Sequence, residues 1–240
     1  MNDKTAIFKI GGKILENIEN LNSTISQFKQ LNIEKLLNKI ILIPGGGSFA
    51  NFIRKVYSEL KFTEEIAHWM GIISMNYNGL ELKNKFPELD IIENFNKLKK
   101  SDKSIIVFLP YEFLKEQDKL PHSWDVTSDS IAILLAKELG LKECFLIKDV
   151  DGILNNKNEL LKEILTTEFE NLKEKGKIYE VKSNVGELKE RSTPIDLYSI
   201  NLIHDYNISC IILNGSKNLN RILDYFKKEK QDEKLYTRIK

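Results

Sequence analysis

The chain has 240 residues, 42% of them hydrophobic, enough to bury one large core or two small lobes. Thirty-six Lys and Arg against thirty-five Asp and Glu leave a formal charge of +1, so no broad field draws in nucleic acid or a membrane surface, and any anion must be held by local donors. No apolar run reaches the roughly 20 residues that span a bilayer, and MNDKTAIFKIGG lacks the basic start and apolar stretch of a signal peptide; the expectation is a cytoplasmic chain with neither a nucleic-acid nor a membrane partner.

Short apolar runs alternate with longer amphipathic stretches. TAIFKI precedes a helical pattern over 14–31, KIILIP one over 49–60, SIIVFLP one over 131–139, and CIILNG one over 219–226, with CFLIKD between the last two. This alternation predicts an α/β fold with a largely parallel sheet and helices on both faces. A further helix is expected over 64–86, with Ile66, Met70, Ile73, Tyr77 and Leu80 at helical spacing as its core side. The charged interval 155–191 suggests a strand pair or an excursion near the surface, and LYTRI near the end an edge strand. Cys144 and Cys210 lie in apolar, strand-like segments without CxxC spacing, which predicts buried thiols and no metal site.

Two of the apolar runs end in glycines. Lys9-Ile10-Gly11-Gly12 closes the first just before a helix, where bare backbone and unpaired amides suit a phosphate, although the same residues also make a plain strand-to-helix turn. Pro44-Gly45-Gly46-Gly47-Ser48 repeats the device, and Arg54 follows on the next helix, placed to grip a phosphate or carboxylate. GGGSFA also satisfies G-x-G-x-x-A, the dinucleotide fingerprint. The acidic strand end expected about 20 residues later is missing, because Glu64 and Glu65 open another helical pattern.

Taken in order, FKIGGKIL, LIPGGGSFANFIR, SWDVTSDSIAILLAKELG and LIKDVDGI make the chain resemble the amino-acid kinase superfamily from Lys4 to about Leu213. AHWMGIISMNYNGL and LPHSWDVTSDS resemble the branch that serves methanofuran synthesis, in which ATP converts a phosphomonoester, an (aminomethyl)furanmethyl phosphate, to a diphosphate. The resemblance implies a three-layer αβα sandwich formed as a single domain over 1–240, residues 1–140 binding the acceptor and 141–240 the nucleotide. It implies ATP with Mg²⁺ carried mainly by the nucleotide, a small-molecule substrate, and a possible homo-oligomer.

By the same resemblance, Lys9 bridges the moving phosphoryl group and Asp129 orients it; Asp129 also suits the helix N-cap written by Thr127-Ser128-Asp129-Ser130. Gly45, Gly46, Gly47, Arg54, His122, Trp124 and Asp125 are assigned to the acceptor, with Asp125 for a substrate amine and Trp124 over a ring. Gly11, Gly12, Lys148, Asp149, Asp151 and Gly152 are assigned to the nucleotide. Two departures stand out. Lys13 occupies the place of a small residue such as Ser, and Asn201 aligns with a second phosphate-binding lysine, for which Lys13, Lys182 or Lys189 could substitute. Competing readings are a uridylate-type kinase, a kinase-fold protein that binds nucleotide without turnover, and, from GGGSFA, a nicotinamide-dependent oxidoreductase.

Overall fold

The structure is a computed structural model that describes residues 4–179, 181–185 and 188–240. Strand β1 (Thr5–Ile10) leads into α1 (Gly12–Glu16) and α2 (Ile18–Ile33), and β2 (Lys39–Pro44) into α3 (Gly47–Leu60) and α4 (Glu64–Lys85). Next come β3 (Asp90–Ile92), α5 (Phe95–Lys100), β4 (Ile105–Phe108), α6 (Tyr111–Gln117), α7 (Ser128–Glu138) and β5 (Glu143–Lys148). The remainder holds β6 (Glu163–Ile164), α8 (Thr166–Glu174), the antiparallel pair β7 (Val181–Val185) and β8 (Leu188–Ser192), α9 (Leu197–Tyr206), β9 (Ser209–Asn214), α10 (Arg221–Lys227) and β10 (Thr237–Ile239).

One eight-stranded sheet runs β3-β4-β2-β1-β5-β9-β10-β6, and its pairs are parallel except β9 with β10. Alternate residues of each central strand enter opposite cores, as a pleated strand buried on both faces requires. Ile7, Ile41, Ile106, Leu146 and Ile212 face α7 and α9, while Phe8, Leu42, Val107, Phe145 and Leu213 face α2 and α10. Phe8 stacks on Phe145 with ring centroids 4.9 Å apart. The expected three layers and largely parallel sheet are therefore present, and Cys144 and Cys210 sit buried and unbridged on paired strands.

Three local expectations change. The helix expected over 14–31 breaks at Asn17, whose side chain caps α2 by accepting from Glu19 N at 3.1 Å and Asn20 N at 3.0 Å. LYTRI contributes β10, which lies inside β6 rather than at the edge. On α4 the face expected to be core is the outer one: Ile66, Met70, Ile73, Tyr77 and Leu80 are 40–53% exposed, whereas Ala67, His68, Ile72, Met75, Gly79 and Leu82 are buried. Both stripes satisfy helical spacing. The inner one owes its burial partly to Gly79, where a Cβ would fall 2.2 Å from Leu109.

Candidate active site

The sheet reverses its winding beside β1: the chain proceeds from β1 through β2 to β4 on one side, then returns to place β5 on the other. Ligand crevices in open α/β sheets form at the carboxyl ends of strands at such a switch point. Here that end carries Lys9 to Gly12 from β1, Gly45 to Gly47 from β2 and Lys148 from β5, and a cavity of about 290 Å³ opens between them.

The two glycine loops touch. A Cβ on Gly12 would lie 2.9 Å from the Gly47 Cα, and one on Gly46 2.5 Å from the Ala50 Cβ, so side chains are excluded where the loops meet. Gly47 also has φ +55°. The amides of Gly11 and Gly45 are committed to the Ile147 carbonyl at 2.8 Å and the Ile10 carbonyl at 2.9 Å. That leaves the Gly12 and Gly47 amides at helix starts, where no acceptor exists within the helix. Asn78 of α4 fixes the second loop by donating to the Gly45 carbonyl at 2.7 Å.

Behind the loops lies a charged triad. Lys9 is 5% exposed and Asp129 3%, and Lys9 Nζ lies 2.8 Å from Asp129 Oδ1. Lys148 Nζ donates to both Asp129 oxygens, at 2.9 and 2.7 Å. Two ammonium groups, that of Lys9 buried and that of Lys148 partly buried, thus share one carboxylate. Burial pulls the Lys9 pKa down to about 8, with Asp129 opposing and Lys148 reinforcing the fall. Burial also acts to lower Lys148 and to raise Asp129, but in each case the opposite charges win: Asp129 holds Lys148 above its usual value, and the two lysines hold Asp129 below its own.

Asp129 is set at the start of α7, where the Thr127 side chain accepts from Asp129 N at 3.2 Å. Asp196, the N-cap of α9, ties the two helix starts together. It accepts from Thr127 Oγ1 at 2.5 Å, Ser130 Oγ at 2.8 Å and Ser199 N at 2.6 Å. Asn201, aligned with the expected second lysine, is instead exposed on α9 beside Thr166 and Glu170 and does not line the cavity. The second cation at the centre is Lys148, supplied by β5. The side chains of Lys182 and Lys189 lie outside the described residues.

Among the residues expected to meet an acceptor, Arg54 stacks over Trp124 with its guanidinium carbon 4.8 Å from the ring centroid, and both line the cavity. Trp124 Nε1 is buried with no hydrogen-bond partner among the described residues. His122 and Asp125 do not join them. His122 bonds Asp118 at 2.7 Å and stacks on His68, and Asp125 is exposed outside the lining. His68, from the inner face of α4, lines the cavity in their place, with its pKa lowered chiefly by burial and then by His122. Glu16 also faces the cavity and accepts from Ser48 N at the start of α3.

Among the residues expected to meet the nucleotide, Asp149 pairs with Lys13 at 2.9 Å and Asp151 with Arg221 at 2.9 Å. Gly152, at φ +150°, answers to packing: a Cβ there would fall 2.2 Å from Thr237 Oγ1 of β10. Among the described residues no group of three or more His, Cys, Asp or Glu could hold a metal ion, and the oxygens of Asp129 are occupied by ammonium groups.

A largely parallel sheet with glycine-rich strand ends and two lysines on a buried aspartate defines the class of protein, and the profile of the amino acid kinase family matches residues 4–214: the chain belongs to that family. It is 32% identical, over 61% of its length and 67% of the relative's, to a [5-(aminomethyl)furan-3-yl]methyl phosphate kinase from Methanocaldococcus jannaschii. Its fold is similar to that of a uridylate kinase from Archaeoglobus fulgidus, with TM-score 0.65, 14% identity and coverage of 99% and 100% of the two chains. A UMP kinase from Ureaplasma parvum gives TM-score 0.65, 18% identity and coverage of 99% of each. At these identities the solved structures speak to fold alone.

Proposed function

We propose that this protein transfers the γ-phosphoryl group of ATP to the phosphate of a small phosphomonoester, giving a diphosphate, with an (aminomethyl)furanmethyl phosphate as the preferred acceptor. The observation that carries the reading is the Lys9–Asp129–Lys148 triad behind two touching glycine loops. An acceptor phosphate oxygen attacks the γ-phosphorus, the new P–O bond forms as the bond to the β–γ bridging oxygen breaks, and that electron pair leaves with ADP. No proton moves, because the acceptor is already an anion. Catalysis then rests on positioning and on cations that answer charge spread over the transferring group, which Lys9 and Lys148 supply. Mg²⁺ arriving on the nucleotide would add charge neutralisation there.

The wall opposite supports the choice of a phosphate-bearing acceptor. Arg54 offers a guanidinium suited to phosphate oxygens, braced against the Trp124 ring in the cavity wall. The relative's substrate supplies the amine-bearing candidate. Arg54→Ala is expected to raise the Michaelis constant of every phosphomonoester about tenfold or more, a loss of roughly 1.4 kcal/mol in binding. Asp125→Asn, lying outside the lining, should change discrimination for the amine-bearing acceptor by less than about twofold. Steady-state kinetics on both variants check this. To test the function itself, purified protein with MgATP is offered the aminomethylfuran phosphate, uridylate and other phosphomonoesters, and diphosphate formation is read by phosphorus NMR. Preference for uridylate would reassign the acceptor. ATP binding without product from any acceptor would favour a binding role, and thermal stabilisation by NAD but not ATP would favour the oxidoreductase.

For the assembly, the exposed stripe of α4 points to a second copy of the chain. Ile66, Met70, Ile73, Tyr77 and Leu80 alternate in steps of four and three, the spacing of a helix-pairing seam, and Phe49 of α3 extends it by packing on Tyr77 at 4.5 Å. Glu64 and Glu65 open the helix and Lys83 and Lys85 close it, so two copies related by a two-fold axis near Ile73 would match acid with base at both ends. Light scattering should give the mass of a dimer, and Ile73→Glu a folded monomer. A monomeric wild type at micromolar concentration would refute this arrangement.

A further inference from the structure

Lys13 is the cation that the triad leaves unexplained. It is the second residue of α1, directly after the Gly12 that touches Gly47, and it lines the cavity with Lys9 and Lys148. Its ammonium lies 2.9 Å from Asp149 Oδ2, across the crevice in the turn after β5. The two side chains are 67% and 34% exposed. An ion pair so wetted contributes little to stability and is readily exchanged for a stronger anion. The short helix α1 therefore reaches both ways. Lys13 extends to the β5 side, while Glu16, one turn later, meets the Ser48 amide on the acceptor side.

Charge sets what Lys13 can do. Lys9 and Lys148 divide a single carboxylate between them, and Arg54 lies against Trp124 at the acceptor wall. A triphosphate entering on the β5 side brings more negative charge than the triad has left to answer, and Lys13 is the additional cation on that side of the lining. We propose that Lys13 is a nucleoside-triphosphate contact, parked on Asp149 in the ligand-free protein and transferred to the terminal phosphate when the nucleotide binds. The proposal rests on the kinase reading above and deepens it. Lys13 neutralises charge on the nucleotide's last phosphate, and Asp149 competes with that phosphate for the same ammonium.

Two variants and two ligands separate this role from a structural latch. Lys13→Ser introduces the small residue that the resemblance leads one to expect there, and Asp149→Asn removes the competing charge. Binding of AMP-PNP and of ADP is measured by calorimetry on the full chain. Lys13→Ser should weaken AMP-PNP about tenfold and ADP less than about twofold, because only the triphosphate presents the terminal phosphate. Asp149→Asn should hold or improve AMP-PNP affinity. Equal losses for both ligands, no loss with Lys13→Ser, or equal weakening by both variants would overturn the proposal, the last marking a latch. A wild type that binds neither nucleotide would instead overturn the kinase reading, and this inference with it.

Discussion

Asp129→Asn should cost both turnover and stability, with kcat falling by about 10³ and the protein losing about 3 kcal/mol at pH 7. The carboxylate is 3% exposed and is the shared counter-charge of Lys9 and Lys148. Asparagine keeps the shape and the helix-start position but leaves a buried and a partly buried ammonium group beside each other with no anion. Breaking a buried pair from one side is expensive because the remaining charge keeps its desolvation penalty. Here two charges remain, and the cheapest escape is for Lys9, whose pKa burial already pulls down to about 8, to lose its proton. A neutral Lys9 no longer answers transition-state charge. Denaturant unfolding and single-turnover kinetics on the same preparation check both halves. An unchanged midpoint with reduced turnover would mean that Asp129 positions the lysines without neutralising them; an unchanged turnover would remove it from the site.

How much of this was legible in the sequence depends on distance along the chain. The strands and the glycine loops were readable because an apolar run, its terminal glycines and the following helix lie within about a dozen residues, and the same is true of Asp129 within its helix-start motif. Lys148 was readable as a strand end but not as a partner of Asp129. That pairing depends on β5 lying beside β1 in a register that matches Ile10 with Ile147 and carries Lys148 one step beyond. Asp196 was missed for the same reason, since the groups it ties together on α7 lie 66–69 residues away. Helix α4 misled for another reason. Two apolar stripes at the same period leave the inner face undetermined, and His68, which lines the cavity, sits on the stripe not chosen. Asn201 shows the limit of aligning one motif without geometry. Counting places it where a lysine was expected, but α9 turns it outward and presents Asp196 to α7 instead.

Lys9→Met should divide activity from stability, with kcat falling by about 10²–10³ while Tm stays level or rises. Lys148 remains on both Asp129 oxygens in this variant, so no buried charge is orphaned, and the desolvation that weighs on Lys9 disappears. The pH dependence gives the argument a sign. The folded-state pKa of Lys9 is lowered from 10.5 to about 8, so between those values the unfolded chain binds more protons than the folded one, and wild-type stability gains from this group as pH rises through the window. Below about pH 8 the burial penalty is present in full. Wild type measured against Lys9→Met should therefore gain relative stability from about pH 8 to 10.5, whereas kcat/KM of the wild type should fall above about pH 8 as the ammonium is lost. The residual activity of Lys9→Met should lack that alkaline limb. Lys148→Met should push the wild-type limb upward, because one of the forces lowering Lys9 is the charge of Lys148. A variant lacking Lys9 that turned over at the wild-type rate, with the alkaline limb intact, would place the phosphoryl-bridging cation elsewhere in the cavity.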